Sequence, residues 1–237
     1  FTTRISGVED LLHLDIQALA DGTWGRSELP ARPVERVNHP IMLVCTHGKR
    51  DRCCAIKGRP LAAGMQTCFF GDEVWETSHS KGHRFAPTMI LLPWGYSYGR
   101  IPTGQAIDAV KTNAQGHMYL TGLRGRGCWD APGQTAEIAV AQKLGAHTVP
   151  VGSLVVKETT EQEQERAEKE IAAHDRTSSR TNSDDHHPKT AWRTVETSRG
   201  DTWVVHLEQV SAGDVMASCG KPPKHGKTWV AHHVTQV

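Results

Sequence analysis

The sequence predicts an α/β protein with a small C-terminal β-rich subdomain, on three observations. Between residues 41 and 115, short apolar runs and amphipathic segments follow one another in the order β-α-β-β-β-α. Residues 190–237 carry strand-like segments separated by turn residues. Between these regions lies a charged segment followed by a polar, low-complexity stretch with the composition of a linker.

Taken in order, SGVEDLLHLDIQALADG predicts an amphipathic helix. Ser6 and Glu9 form a capping box, Val8, Leu11, Leu12, Ile16 and Leu19 share a face, and Gly22 is a stop. Residues 23–40, with Pro30, Pro33 and Pro40, predict an extended connection. IMLVC (41–45) has strand length, residues 46–59 are polar and loop-like, and PLAAGMQTCF (60–69) predicts a helix opening on Pro60. DEVWETS (72–78) is a second strand, and residues 88–92 and 96–101 form a hairpin around Trp94-Gly95. TGQAIDAVKTNAQ (103–115) and QTAEIAVAQKL (134–144) return to helix.

Residues 158–176 predict an exposed helix, charged nearly all round, and 177–189 a linker or insertion. WRTVE and TWVVHLE flank SRGD as a hairpin, and TWVAHHV is a last strand. The expected organisation is therefore an N-terminal helix and connection (1–40), an α/β domain (41–150), a charged helix and linker (151–189) and a β-rich subdomain (190–237).

Composition narrows the function. Lys plus Arg number 27 and Asp plus Glu 26, so a net charge of +1 gives no case for binding nucleic acid or a membrane surface. No apolar run approaches the ~18 residues that span a bilayer. The chain begins with Phe1, which leaves room for a processed N-terminal segment. Six irregularly spaced cysteines do not make a disulfide framework; four fall before residue 70, which favours a reducing, cytoplasmic compartment and a local metal or redox site. Most of the 14 histidines sit in polar contexts and are expected on the surface.

Gly226-Lys227-Thr228 suggests a phosphate loop, but five residues separate Gly220 from Gly226 where four are needed. Pro222 and Pro223 also remove the N–H donors that would cradle phosphate. No metalloprotease, hydrolase-elbow or deaminase motif is present. What remains is CTHGKRDRCCAIKG (45–58) followed by SHSKGHRF (78–85), both in loops after strands, where α/β folds place their chemistry. Cys45 with Cys54, and His79 with His83, are two tight pairs separated by a longer insert, the pattern of a four-ligand site built from two loops. By spacing alone, zinc, iron–sulfur, a thiol pair and coincidence all stay open.

CTHGKRDRCCAIKGRPLA (45–62) and VWETSHSKGHRFAPTMILLPWGYSYGRI (74–101) resemble the sucrase/ferredoxin-like family, a branch of the thioredoxin-like [2Fe–2S] ferredoxins. LRGRGCWDAPGQTAEIAV (123–140) and ASCGKPP (217–223) continue the likeness more weakly, whereas the region before residue 40 and the stretch 158–189 depart from it. The resemblance implies a thioredoxin-like ferredoxin domain and a [2Fe–2S] cluster. Related ferredoxins take two cysteines from the first loop and Cys-x-x-x-Cys from the second; members like this one have His-x-x-x-His there. The implied ligands are Cys45, Cys54, His79 and His83, with Arg50-Asp51 selecting Cys54 over Cys53. Cys53, Cys68, Cys128 and Cys219 become non-ligands, Cys219 being the one to watch as a reactive thiol. Nothing resembles the paired carboxylates of a sucrose-cleaving enzyme.

Two thiolates and two neutral imidazoles would leave an oxidised cluster formally neutral. That raises its potential above an all-thiolate centre and couples electron uptake to a proton on imidazole. The implied function is one-electron transfer or redox sensing with an unknown redox partner protein. A zinc-binding structural module with the same ligands, or a thiol oxidoreductase using Cys45 with Cys53 or Cys54, is the alternative. His47, Lys49, Arg50, Arg52 and Arg84 make a basic rim suited to an acidic partner, and Gly48 and Gly82 are expected to let the backbone approach the cluster.

Overall fold

Cys45 and Thr77 are the last residues of two adjacent parallel strands, β1 (Ile41–Cys45) and β2 (Val74–Thr77). The computed structural model describes residues 7–13, 15, 17–18, 21, 37–49, 51–174 and 188–237. The chain divides into Phe1–His39 and Pro40–Val237. In the first unit the expected α-helix is, over the described residues, a 3-10 helix at Val8–His13, with helical geometry again at residues 17–18. Ser6 and Gly22, the predicted start and stop, lie outside the described residues. Of the predicted apolar stripe, Val8 and Leu12 are 71% and 84% exposed.

In the second unit, β1 is flanked by β2 and by β3 (Thr88–Leu92), giving the sheet order β2-β1-β3-β4-β5. β1 and β2 are parallel and joined through α1 (Arg52–Gln66); β3, β4 (Tyr96–Gly99) and β5 (Leu123–Arg126) follow as antiparallel neighbours. A parallel β-α-β unit followed by an antiparallel hairpin is the thioredoxin-like arrangement. α1 begins eight residues before the predicted Pro60. Asp51 caps it by accepting from the Cys53 N–H, and Pro60 lies inside the helix on its exposed side, where the carbonyl it leaves unpaired can meet water. The predicted loop 46–59 is therefore loop only as far as its cap.

α2 (Thr103–Ala114) has its predicted bounds to within a residue, and α3 (Ala131–Leu144) starts three residues earlier than the pattern suggests. Asp130 caps α3 by accepting from the Gly133 N–H at 2.8 Å, with Pro132 tolerated in the first turn. Two strands were not foreseen: β5, which is short and carries two arginines, and β6 (Val155–Glu158). β6 opens a second, antiparallel sheet, β6-β7-β8-β9, completed by β7 (Thr190–Glu196), β8 (Thr202–Val215) and β9 (Lys224–Gln236). The polar stretch predicted as linker falls largely at residues 175–187, outside the described residues.

α3 packs against β5 of the first sheet and against every strand of the second. One apolar cluster accordingly joins Met42, Val44, Leu91 and Tyr96 to Val140 of α3 and to Val195, Val205 and Leu207. α4 (Glu161–His174), expected to be solvated all round, packs on β8 and β9 and fully buries Ala167. At the junction of the two sheets the Arg126 guanidinium meets the fully buried Glu137 carboxylate at 2.6 Å and donates to the carbonyls of Gly152 and Leu154. Tyr96 Oη donates to the same carboxylate and accepts from the Gly152 N–H. Burying an ion pair costs solvation, and Glu137 Oε2 has no hydrogen-bond partner among the described residues; loss of one partner would leave the other charge buried and unpaired, at about 3–5 kcal/mol.

Candidate functional site

Because β1 and β2 are parallel neighbours in register, the loops that follow them leave the same end of the sheet. The first carries residues 46–51 and runs into the capped start of α1; the second carries residues 78–87. Cys45 is 1% and Cys54 2% exposed, and with Ala86 they form a small cluster of their own beside the main core. It is the Cys54 thiol, not that of Cys53, that meets the Cys45 thiol. α1 can come this close because residue 58 is glycine: a Cβ there would stand 2.1 Å from the Cys45 carbonyl oxygen.

The second loop folds over the Cys45 sulfur. The thiol faces the Ser78 carbonyl at 3.8 Å and receives the backbone N–H groups of Ser80 and His47. Burial pushes the Cys45 thiol up, but these donors outweigh it and hold the group below its usual value. Burial, and then the neighbouring Cys45, push Cys54 up to about 12. The pair thus combines one readily ionised sulfur with one that ionises only against a compensating cation.

The two predicted histidine ligands sit on the same loop. Their rings are 6.4 Å apart and nearly parallel, and the His47 ring lies 6.2 Å from that of His79. Between them Lys81 and Gly82 both have positive φ, 60° and 67°, and Gly82 leads into a 3-10 turn at His83–Phe85. A non-glycine residue in that region costs about 1–3 kcal/mol, a strain that collects at functional sites. Gly48 has no such geometry; the nearest atom to a Cβ there would be the Ala55 side chain at 3.1 Å. His79 is exposed, while His83 is half-buried and its Nδ1 is inaccessible to solvent with no hydrogen-bond partner among the described residues. Such an atom is either a cost or a ligand. Among the described residues, no three of the four predicted donor atoms fall within 4.8 Å of one another.

Of the predicted basic rim, His47 is half-buried and Lys49, Arg52 and Arg84 are exposed; Arg50 lies outside the described residues. Sequence reasoning missed Arg100 and Arg124, which join the predicted Arg84. Arg84, Arg100 and Arg124 stack around Phe85, their guanidinium carbons 4.5, 5.2 and 3.1 Å from the ring centroid. Arg100 also donates to the Arg84 carbonyl. Burial first, then Arg84 and Arg100, lower Arg124 to about 10, and none of the three makes an ion pair among the described residues. The three come from the 3-10 turn, the end of β4 and β5, so only the folded sheet brings them together.

The other missed contributor is the β8–β9 loop. The Asp51 carboxylate accepts from Ser218 Oγ and from the Cys219 N–H, both at 2.8 Å, as well as from Cys53 N at 2.9 Å. Burial pushes Asp51 up, but these three donors hold it below the usual carboxylate range. The loop walls a cleft of about 660 Å³ whose lining includes Cys53, Lys57, His83, Arg84, Arg100 and Cys219. The weak likeness at ASCGKPP therefore has a structural counterpart: that segment folds back onto the first loop.

A solved structure, a cysteine-to-serine variant of the thioredoxin-like [2Fe-2S] ferredoxin from Aquifex aeolicus, aligns with 16% identity and a TM-score of 0.31, covering 35% of this chain and 95% of its own. No curated protein sequence matches significantly. The family model described as sucrase/ferredoxin-like matches residues 5–125, which include Cys45, Cys54, His79 and His83 and four of the five strands of the first sheet together with the start of the fifth. The chain belongs to the sucrase/ferredoxin-like family.

Proposed function

We propose that this protein is a one-electron carrier or redox sensor that holds a [2Fe–2S] cluster on Cys45, Cys54, His79 and His83. The observation that carries the reading is a buried, contacting thiol pair, Cys45 and Cys54, beside a loop whose His83 keeps a buried Nδ1 without a partner. Two thiols and two imidazoles are the donor set for a mixed-ligand two-iron cluster; the cysteines flank the first loop and the histidines lie in the second. A single tetrahedral zinc would gather all four donors within bonding distance of one centre. Counts of metal and sulfide separate the two readings, since the same four donor types suit either.

When bound, the cluster supplies reversible one-electron chemistry. The protein's part is to bind, tune and dock. Ser80 and His47 N–H groups stabilise negative charge on the Cys45 sulfur. Each ligand imidazole keeps a second ring nitrogen that can take or give a proton, so redox and protonation become linked. Lys49, Arg52, Arg84 and the exposed Arg100 present positive charge on the same face, which suits an acidic redox partner. Six free thiols fit a reducing compartment such as the cytoplasm. Among the described residues no helix is long and apolar enough to cross a membrane.

The test is the visible spectrum of anaerobically purified protein, with iron, zinc and acid-labile sulfide counted on the same sample. Equal iron and sulfide in a red-brown protein bleached by dithionite is the expected result. A colourless protein with one zinc per chain would overturn it in favour of a structural module.

A further inference from the structure

Cys53 and Cys219 are far apart in sequence and have no role in the proposed ligand set. Their sulfurs and an Asp51 carboxylate oxygen nonetheless lie within 4.8 Å of one another. The approach is built rather than incidental. Asp51, only 5% exposed, caps α1 through the Cys53 N–H and holds the β8–β9 loop through Ser218 Oγ and the Cys219 N–H. One carboxylate thus fixes the backbone of both cysteines. Both also line the open cleft of about 660 Å³, whereas Cys45 and Cys54 are buried. Solutes reach this pair and not the other.

We infer that Cys53 and Cys219 form a reversible dithiol–disulfide pair that clamps the β8–β9 loop onto the start of α1. The other reading of the cluster, a metal site with Asp51, is disfavoured because Oδ1 already accepts from Cys53 N and Oδ2 from Ser218 and Cys219. A disulfide needs the sulfurs at about 2.05 Å, which side-chain rotation must supply because Asp51 has already set the backbones.

The co-reactant is a low-molecular-weight disulfide, RSSR. The exposed Cys219 sulfur attacks one of its sulfurs, forming a mixed disulfide and expelling one RS⁻, which takes the proton from Cys219. Cys53 then attacks the Cys219 sulfur; the mixed disulfide breaks, the Cys53–Cys219 bond forms, and the second RS⁻ leaves with the Cys53 proton. Two thiols are oxidised and one RSSR is reduced to two RSH; a dithiol reverses the process. Oxidation fixes the loop carrying Met216, Ser218 and Gly220 as one wall of the cleft that His83, Arg84 and Arg100 line opposite. The inference does not depend on the cluster: the pair stands whether or not Cys45, Cys54, His79 and His83 bind metal.

The test equilibrates the full chain, as purified and after chelation, with graded ratios of reduced and oxidised glutathione. Acid-quenched samples are then read by intact mass and non-reducing peptide mapping. The expected product has lost two hydrogens and links the Cys53 and Cys219 peptides. It forms at a ratio about tenfold more reducing than the one that glutathionylates the exposed Cys68 and Cys128, because the partner thiol is already in place. Cys53→Ser should convert the product to a glutathione adduct at Cys219, and Cys219→Ser should remove the linked peptide altogether. Recovery of Cys219 only as an adduct in the unmutated chain, or Cys53 linked instead to Cys54 or Cys45, would overturn the inference.

Discussion

The Gly58 Cα faces the Cys45 carbonyl so closely that a Cβ would lie 2.1 Å from its oxygen. α1 therefore rests directly on the end of β1, and this contact sets how near Cys54 comes to Cys45. Gly58→Ala should force the helix outward, at the about 1–3 kcal/mol typical of overpacking. The expected outcome is a lowered urea midpoint together with faster alkylation of Cys45 and Cys54 in metal-free protein. An unchanged alkylation rate would show that the helix tolerates the methyl without separating the thiols.

Replacing one imidazole by a thiolate adds negative charge to the proposed site. His83→Cys should keep a cluster, lower its midpoint potential and flatten the dependence of that potential on pH. Spectroelectrochemical titration between pH 6 and 9, roughly the range over which a coupled imidazole titrates, reads both effects. A potential identical to that of the unmutated protein would remove His83 from the ligand set.

The three guanidiniums around Phe85 make a specific case for docking. Arg100 is exposed and joins the cluster through its donation to the Arg84 carbonyl. Arg100→Glu should slow reduction by a small acidic electron-carrier protein by about tenfold at low salt, because rim charges act mainly on association. The difference should vanish near 1 M salt, where the screening length is about 3 Å. Stopped-flow rates across ionic strength provide the check, and a salt-independent deficit would point to a folding defect instead.

Acid stability has an identifiable contributor away from the site. Arg193 binds the Asp130 carboxylate at 2.6 Å and that of Glu158 at 2.9 Å, tying β7 to the cap of α3 and to β6. Burial pushes Asp130 up, but Arg193 and the Gly133 N–H outweigh it and hold its carboxyl below the usual range. A depressed carboxyl favours the fold above its unfolded value of about 3.9, and this contribution is lost as pH falls through the lower folded value. Because Asp130 is about half exposed, the effect should be small, up to about 1 kcal/mol. Arg193→Gln should flatten the urea midpoint between pH 5 and 2, roughly the span of that titration; the slope should be unchanged at pH 7.

Much of the first sheet was legible because β1 and β3 are short, nearly continuous apolar runs of strand length. β1, β3, β4 and α2 each carry enough apolar periodicity to declare themselves. α1 was placed late because Pro60 resembles a first-turn proline, while the true start rests on one short side chain, Asp51, reaching Cys53 N. β5 and β6 escaped notice because each has four residues and carries charge; what makes them strands is the neighbour already in place. The same holds at the site. The spacings of Cys45 with Cys54 and of His79 with His83 are local, so a sequence displays them. Asp51 gripping Cys219, and Arg84, Arg100 and Arg124 sharing one phenyl ring, are contacts between distant segments that no local pattern encodes.

The most direct measurement of the central claim is electron paramagnetic resonance of the dithionite-reduced protein, with resolution of nitrogen hyperfine couplings. The proposal predicts the signal of a reduced [2Fe–2S] centre coupled to two imidazole nitrogens, one lost in His79→Cys and the other in His83→Cys. A two-iron signal without nitrogen coupling would contradict the ligand set. No signal from a protein that holds zinc would contradict the function.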